Sequence, residues 1–111
     1  MSLGDRSRTG RDLERLLIRG VDPGDDGDLL KRFHRDRDEA AFETLVRRHG
    51  PMVRGVCGRL LRDPHDADDA FQATFLVLAR DVGKLRDPDR LGSWLYSVAR
   101  RASLRARGRN R

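Results

Sequence analysis

Lysine is almost absent from this chain: of its 24 basic residues only Lys31 and Lys84 are lysines, and the rest are arginine. Aromatic residues are nearly as scarce, at 5%, while charged residues reach 38%. That balance fits a thin helical bundle and argues against a β-sandwich or barrel. The single cysteine, Cys57, excludes a disulfide framework and points to a reducing compartment. It lies in the apolar run Val53-Arg54-Gly55-Val56-Cys57 and reads as a small core residue. His34, His49 and His65 are scattered without ligand-like spacing, so no metal site is expected. No stretch approaches the roughly 18 apolar residues of a membrane span, and no apolar signal-peptide core opens the chain. A cytoplasmic protein with no membrane partner is expected. Without a Ser/His/Asp or Cys/His arrangement or a phosphate-cradling glycine loop, the sequence gives no sign of an enzyme, a cofactor or a small-molecule substrate.

What is present is arginine and helical periodicity. The 111 residues leave room for one domain with short extensions, and the formal charge is +6. Arginine's planar fork suits phosphates and base edges, so nucleic acid is the first partner to consider. A merely solvated arginine-rich surface explains the composition equally well. Residues 1–25 form a flexible N-terminal extension with a short helix around Leu13, Leu16 and Leu17, closed by the turn-forming stretch 22–27. The domain proper runs from 26 to 107, followed by a basic tail at 108–111. Leu29, Leu30 and Phe33 mark a first short helix. Asp38 caps a longer one whose apolar residues, Phe42, Leu45, Val46, His49, Met52, Val53, Val56 and Leu60, recur through Pro51 without a slip, which predicts one kinked helix. Asp63-Pro64 opens a third helix, with Ala67, Phe71, Thr74, Leu78 and Val82 inward. Gly83 ends it, residues 84–90 form a charged loop, and a last helix from Leu91 carries Leu91, Leu95, Val98 and Ala102 inward. The fold class is therefore all-α, a compact bundle of three to four helices. Phe71 and Leu95 are expected to be buried in its core.

Two helices carry residues that a core does not require. On the third helix Asp66, Asp68, Asp69 and Gln72 are followed by Phe75 and Leu76. The helix dipole accounts for the acids near the N-terminus but not for a large apolar residue continuing their face. A polar–apolar strip of this kind suits a partner helix bearing arginines. On the last helix no acid follows Asp89, whereas Arg90, Arg100, Arg101, Arg105, Arg107, Arg109 and Arg111 accumulate. Trp94, Ser97, Arg101 and Arg105 share one helical edge. An aromatic beside guanidiniums offers what single-stranded DNA needs, a stacking face and phosphate partners, each stacked base being worth ~1–3 kcal/mol. The plainer reading has Trp94 filling the core and the arginines solvating the helix C-terminus.

The stretch 66–75, Asp-Ala-Asp-Asp-Ala-Phe-Gln-Ala-Thr-Phe, resembles the "DAED…Q..F" signature of region 2 in sigma-70 family factors of the extracytoplasmic-function type. Residues 93–100, Ser-Trp-Leu-Tyr-Ser-Val-Ala-Arg, are similar to that family's "TWLY.IAR" signature, and residues 41–51 to its "F..L...Y.P" helix. The three motifs stand in order at compatible spacing, and the resemblance covers about residues 28–107. The resemblance implies the sigma region 2 fold and a role in transcription initiation. It implies that the third helix docks on the clamp helices of the β′ subunit of core RNA polymerase, through Asp66, Asp68, Asp69, Gln72, Phe75 and Leu76. It also implies that the following loop and last helix recognise and melt the −10 promoter element, through Lys84, Arg86, Arg90, Trp94, Ser97, Arg100, Arg101, Arg105 and Arg107. An anti-sigma factor is the further partner implied.

Departures from the family pattern carry expectations of their own. Ala73 stands where the family usually has glutamate, which implies a weaker or rearranged polymerase contact. Arg101 and Arg105 stand where asparagine and aspartate are common, which favours DNA affinity over sequence discrimination. Complete members continue into a helix-turn-helix domain that reads the −35 element. The alternative reading is accordingly a stand-alone region 2 that occupies polymerase or an anti-sigma factor without initiating transcription.

Overall fold

Three of the four helices begin where a carboxylate caps them. In the computed structural model, which describes residues 24–109, helix α1 spans Asp26–Asp36, α2 Glu39–Leu60, α3 Pro64–Asp81 and α4 Leu91–Arg109. The Asp25 carboxylate accepts the Asp28 N–H at 2.9 Å, that of Asp38 the Ala41 N–H at 3.2 Å, and that of Asp63 the His65 N–H at 2.8 Å. Each bond satisfies an amide that the first helical turn leaves unpaired. Pro64 occupies the first turn of α3, where the missing N–H costs nothing. The linker to α4 is two single 3₁₀ turns, Val82–Lys84 and Pro88–Arg90, the second capped by Asp87. Among the described residues there is no strand, as the all-α reading requires. The short helix expected around Leu13 to Leu17 lies outside the described residues.

The α1–α2 corner uses an unusual terminator. Arg37 adopts the left-handed conformation (φ 51°, ψ 44°) normally given to glycine. Its N–H donates to the Phe33 carbonyl at 3.0 Å, and the Asp38 N–H reaches back to the Arg32 carbonyl at 3.5 Å. The side chain contributes what glycine lacks. Its guanidinium lies 4.7 Å from the Phe33 ring centroid and donates to the Ala79 carbonyl at 3.3 Å, tying the corner to the end of α3.

Helix α2 runs unbroken through Pro51, whose ring is on the exposed side. Its buried face is not one stripe. Ala41, Thr44 and Leu45 are inward before the proline, and Val53, Val56 and Cys57 after it. At ~100° per residue the inward direction turns by roughly a third of a circle along the helix. Phe42, Val46, His49, Met52 and Leu60, expected inward, are therefore only half-buried. The long helix has different neighbours along its length, packing on α1 as well as on α3 and α4.

The core gathers Leu29, Leu45, Val53, Cys57, Leu78 and Leu95, all fully buried. The protein's four phenylalanines form one chain through it. Phe33 and Phe42 have ring centroids 4.7 Å apart, Phe42 and Phe75 6.5 Å, and Phe75 and Phe71 5.1 Å. A guanidinium closes each end, Arg37 over Phe33 and Arg54 over Phe71 at 4.1 Å. The bulky part of Phe71 is thus half-buried beneath Arg54, whereas Leu95 is wholly inside. Buried Thr44 and Thr74 donate to the carbonyls of Ala40 and Ala70, one turn back. The N-terminus of α1 is fixed to α2 by Asp26, which receives Arg48 at 3.1 Å and His49 at 2.9 Å.

Candidate functional site

Helix α3 has three distinct sides. Ala70, Thr74, Phe75 and Leu78 face the core. Asp69, Gln72 and Leu76 face outward within about a 60° arc at ~100° per residue. Leu76 is the most exposed large apolar side chain among the described residues, at 69%. Asp68 lies at the edge of this outer strip, accepting the Gln72 amide at 3.0 Å and pairing with Arg54 at 3.5 Å. One expectation is corrected. Phe75, assigned to the docking strip, is 5% exposed and belongs to the phenylalanine chain. Neighbouring residues on a helix point ~100° apart, so Phe75 and Leu76 cannot share a face.

The third side of α3 looks onto α4 and borders the outer strip at Asp69. Asp66, Asp69, Ala73, Val77 and Arg80 form one wall of a groove of about 510 Å³, whose other wall includes Arg101, Arg105 and Arg109. Ala73 leaves this wall low where a glutamate would project. The edge of Trp94, Ser97, Arg101 and Arg105 thus has different neighbours along its length. Arg101 and Arg105 stand opposite α3 carboxylates, Trp94 is half-buried against the core, and Ser97 is exposed on the outer face with Arg100.

Sequence reasoning missed Tyr96. It is 46% exposed, making it the aromatic that α4 actually presents to solvent. Arg100 follows one turn on, so phenol and guanidinium share a face. The signal was in the phase: position 96 falls off the inward positions 95, 98 and 99.

The linker cations are open to solvent. Lys84 approaches Asp81 at 3.8 Å and Arg90 approaches Asp87 at 3.6 Å, with the basic side chains 81% and 84% exposed. Such exposed pairs contribute little and exchange readily for other anions. Arg86 is exposed as well. Asp81 is the more committed carboxylate. Its hydrogen bond from Arg80, at 2.8 Å, together with the charges of Arg80 and Lys84, holds its carboxyl below the usual range. Arg107 projects at the far end of α4, in a depression shared with Arg59 and Arg62.

Among the described residues no three His, Cys, Asp or Glu side chains gather as metal ligands, and no helix is long and apolar enough to cross a membrane. The geometry offers instead an outward polar–apolar strip on α3 beside an acid-free, arginine-bearing α4.

Comparison with known proteins gives that geometry a family. The sigma-70 region 2 profile matches residues 45–111, more than half of the chain. The RNA polymerase sigma factor CarQ of Myxococcus xanthus is 39% identical over 74 residues, covering 67% of this chain and 42% of the relative. The RNA polymerase sigma-H factor of Pseudomonas aeruginosa is 32% identical over 74 residues, covering 67% and 38%. The ECF RNA polymerase sigma factor SigM of Mycobacterium tuberculosis (strain H37Rv) is 34% identical over 79 residues, covering 71% and 40%. The chain thus spans about two fifths of the length of these curated relatives. No solved structure matches it. The outer strip of α3 and the basic α4 both fall within the matched segment, and the chain belongs to the sigma-70 region 2 family, in its extracytoplasmic-function branch.

Proposed function

We propose that this domain acts in transcription initiation as a non-enzymatic promoter-opening module, docking on core RNA polymerase through α3 and capturing the −10 element with the 84–90 linker and α4. The observation that carries the reading is the outward strip Asp69–Gln72–Leu76. A 69% exposed leucine flanked by an acid and an amide is a surface made for a partner helix. The partner this chemistry suits is a helix pair carrying arginines, the β′ clamp helices of polymerase. Asp68 orients the Gln72 amide from behind rather than offering a free carboxylate. Asp66, facing the α3–α4 groove, is at the margin of this surface.

On the DNA side, Lys84, Arg86 and Arg90 provide exposed cations, and Trp94, Tyr96, Ser97 and Arg100 lie along the helix that follows. Capture of unstacked bases by aromatic faces, with phosphates neutralised by arginine, lowers the cost of opening a duplex. An anti-sigma factor covering either face would keep the domain from polymerase.

The test is binding to the isolated clamp helices, then opening of a promoter with a pre-melted −10 segment by the chain with core polymerase. Asp69→Ala with Gln72→Ala is expected to weaken clamp binding more than tenfold with the fold intact. Unchanged affinity in that double variant would remove α3 as the docking surface.

A further inference from the structure

A guanidinium from α2 is built into the edge of the outer strip of α3. That of Arg54 lies over the Phe71 ring, 4.1 Å from its centroid, and its Nη2 stands 3.5 Å from Oδ1 of Asp68. The other carboxylate oxygen of Asp68, Oδ2, accepts the Gln72 amide at 3.0 Å. Three groups from two helices thus form one line, Arg54 to Asp68 to Gln72, which ends on a side chain of the docking strip. The ion pair is half open to solvent and by itself would hold little. Contact with the ring fixes the guanidinium from a second side, so the carboxylate meets a positioned partner rather than a mobile one.

The line has a direction. A carboxylate only accepts, so the Gln72 amide turns its NH2 toward Asp68 and its carbonyl away. Among the described residues none donates to that carbonyl. A glutamine on an exposed helix face otherwise samples several rotamers and both orientations of its amide. With Oδ1 engaged by Arg54, the Asp68 carboxylate is held with Oδ2 toward Gln72. We propose that Arg54 is a positioning residue for docking: acting through Asp68, it sets the Gln72 carbonyl outward, so that the strip accepts a hydrogen-bond donor and rejects an acceptor. Asp69, three residues before Gln72, adds a second acceptor on the same face. Two neighbouring acceptors suit the several N–H groups of a guanidinium, whereas an opposing carboxylate or carbonyl would be left unpaired there. The partner side chain that meets Gln72 is therefore a donor, and a guanidinium satisfies both acceptors at once.

The inference rests on α3 docking as proposed, and the sign of its effect separates it from simple charge attraction. Removing the positive charge of Arg54, and releasing Asp68 with it, makes the strip more negative. Coulomb attraction alone then expects tighter binding to an arginine-bearing partner. Positioning expects the opposite. Arg54→Met, whose long side chain still covers Phe71, is titrated against the isolated clamp helices beside wild type, Gln72→Ala and the double variant. Arg54→Met should weaken binding about three- to tenfold, the range of one hydrogen bond. In the Gln72→Ala background it should weaken binding no further. In the unbound domain, nitrogen relaxation of the Gln72 side-chain amide should show it ordered in wild type and averaged in Arg54→Met, with the melting temperature nearly unchanged. Tighter or unchanged binding by Arg54→Met, an equal loss with and without Gln72, or an amide equally ordered in both proteins would each overturn the positioning role. A wild-type chain that does not bind the clamp helices would instead overturn the docking reading, and the relaxation comparison would still decide whether Arg54 orders the amide.

Discussion

Phe75 is where family resemblance and packing disagree, and the disagreement has a measurable size. Its ring is 5% exposed and sits between Phe42 and Phe71, edge-on to the first and tilted against the second. Truncation to alanine removes a buried ring and leaves a cavity that two rigid neighbours cannot collapse into, so Phe75→Ala should cost about 3–5 kcal/mol. Domains of this kind have roughly 5–15 kcal/mol in total, so the variant should unfold at much lower urea with an unchanged dependence on denaturant. Phe75→Leu, which keeps most of the apolar volume, should cost only about 1–2 kcal/mol. Equilibrium urea unfolding followed by helical circular dichroism gives the stabilities, and clamp titration at low temperature gives the affinity of the folded fraction. The packing account expects a large stability loss with near wild-type affinity for Phe75→Leu. A Phe75→Ala variant as stable as wild type but unable to bind the clamp would show that the ring is a surface contact.

The remaining expectations concern single groups. Arg37→Gly relieves the left-handed strain but loses the Phe33 and Ala79 contacts, whereas Arg37→Ala loses the contacts and keeps the strain; thermal unfolding should rank glycine above alanine by about 1 kcal/mol. The Asp81 carboxyl titrates lower in the fold than in the open chain, chiefly through its Arg80 hydrogen bond. It therefore contributes stability above the ordinary carboxylate pKa of about 3.9 that is lost as pH falls through its folded value, and Asp81→Asn should flatten the acid side of the stability profile. Tyr96→Ala should weaken single-stranded −10 DNA more than duplex while leaving the melting temperature nearly unchanged, whereas Trp94→Ala should lower that temperature as well; equal single-strand to duplex ratios in wild type and both variants would leave only electrostatics on this face.

The elements that sequence alone reveals are those with local causes. The starts after Asp38 and Asp63 are set by capping chemistry within a few residues, and α2 and α3 begin there. On α4 Leu91, Leu95 and Val98 are inward as the periodicity expects, whereas Ala102 is half-buried and the buried side shifts to Ala99, Ser103 and Ala106 further along. What local pattern cannot reveal is the direction each helix faces once packed. Arg101 and Arg105 look like the continuation of an open edge until α3 is placed beside them. Arg59 and Arg62 look like ordinary surface until α4 ends next to them. Phe75 was misplaced because a family signature names positions without saying which side of the helix each takes. Arg37 in a left-handed corner breaks the glycine rule, because long-range contacts to Phe33 and Ala79 offset a local cost.

The α3–α4 groove means that the docking and DNA faces are not electrostatically separate. Asp66 and Asp69 line the same groove as Arg101, Arg105 and Arg109. Unit charges 4 Å apart interact by ~1 kcal/mol in water and ~4 kcal/mol at the effective dielectric of a protein surface, and screening becomes strong only beyond about 8 Å at physiological salt. If the domain acts as proposed, neutralising an α3 acid raises the positive potential felt by DNA along α4 while it weakens polymerase docking, and in promoter opening the two changes oppose each other. Acid variants alone would understate the importance of the docking strip whenever DNA is in the assay. Leu76 carries no charge and lies on the outer side of α3, so Leu76→Ala disturbs the strip without disturbing the groove. If α3 docks as proposed, Leu76→Ala should reduce clamp binding and promoter opening by the same factor, whereas Asp69→Ala should reduce clamp binding by more than it reduces opening. Equal reductions for both variants would mean that the groove charges do not communicate, and that Arg101 and Arg105 play no part on the DNA side.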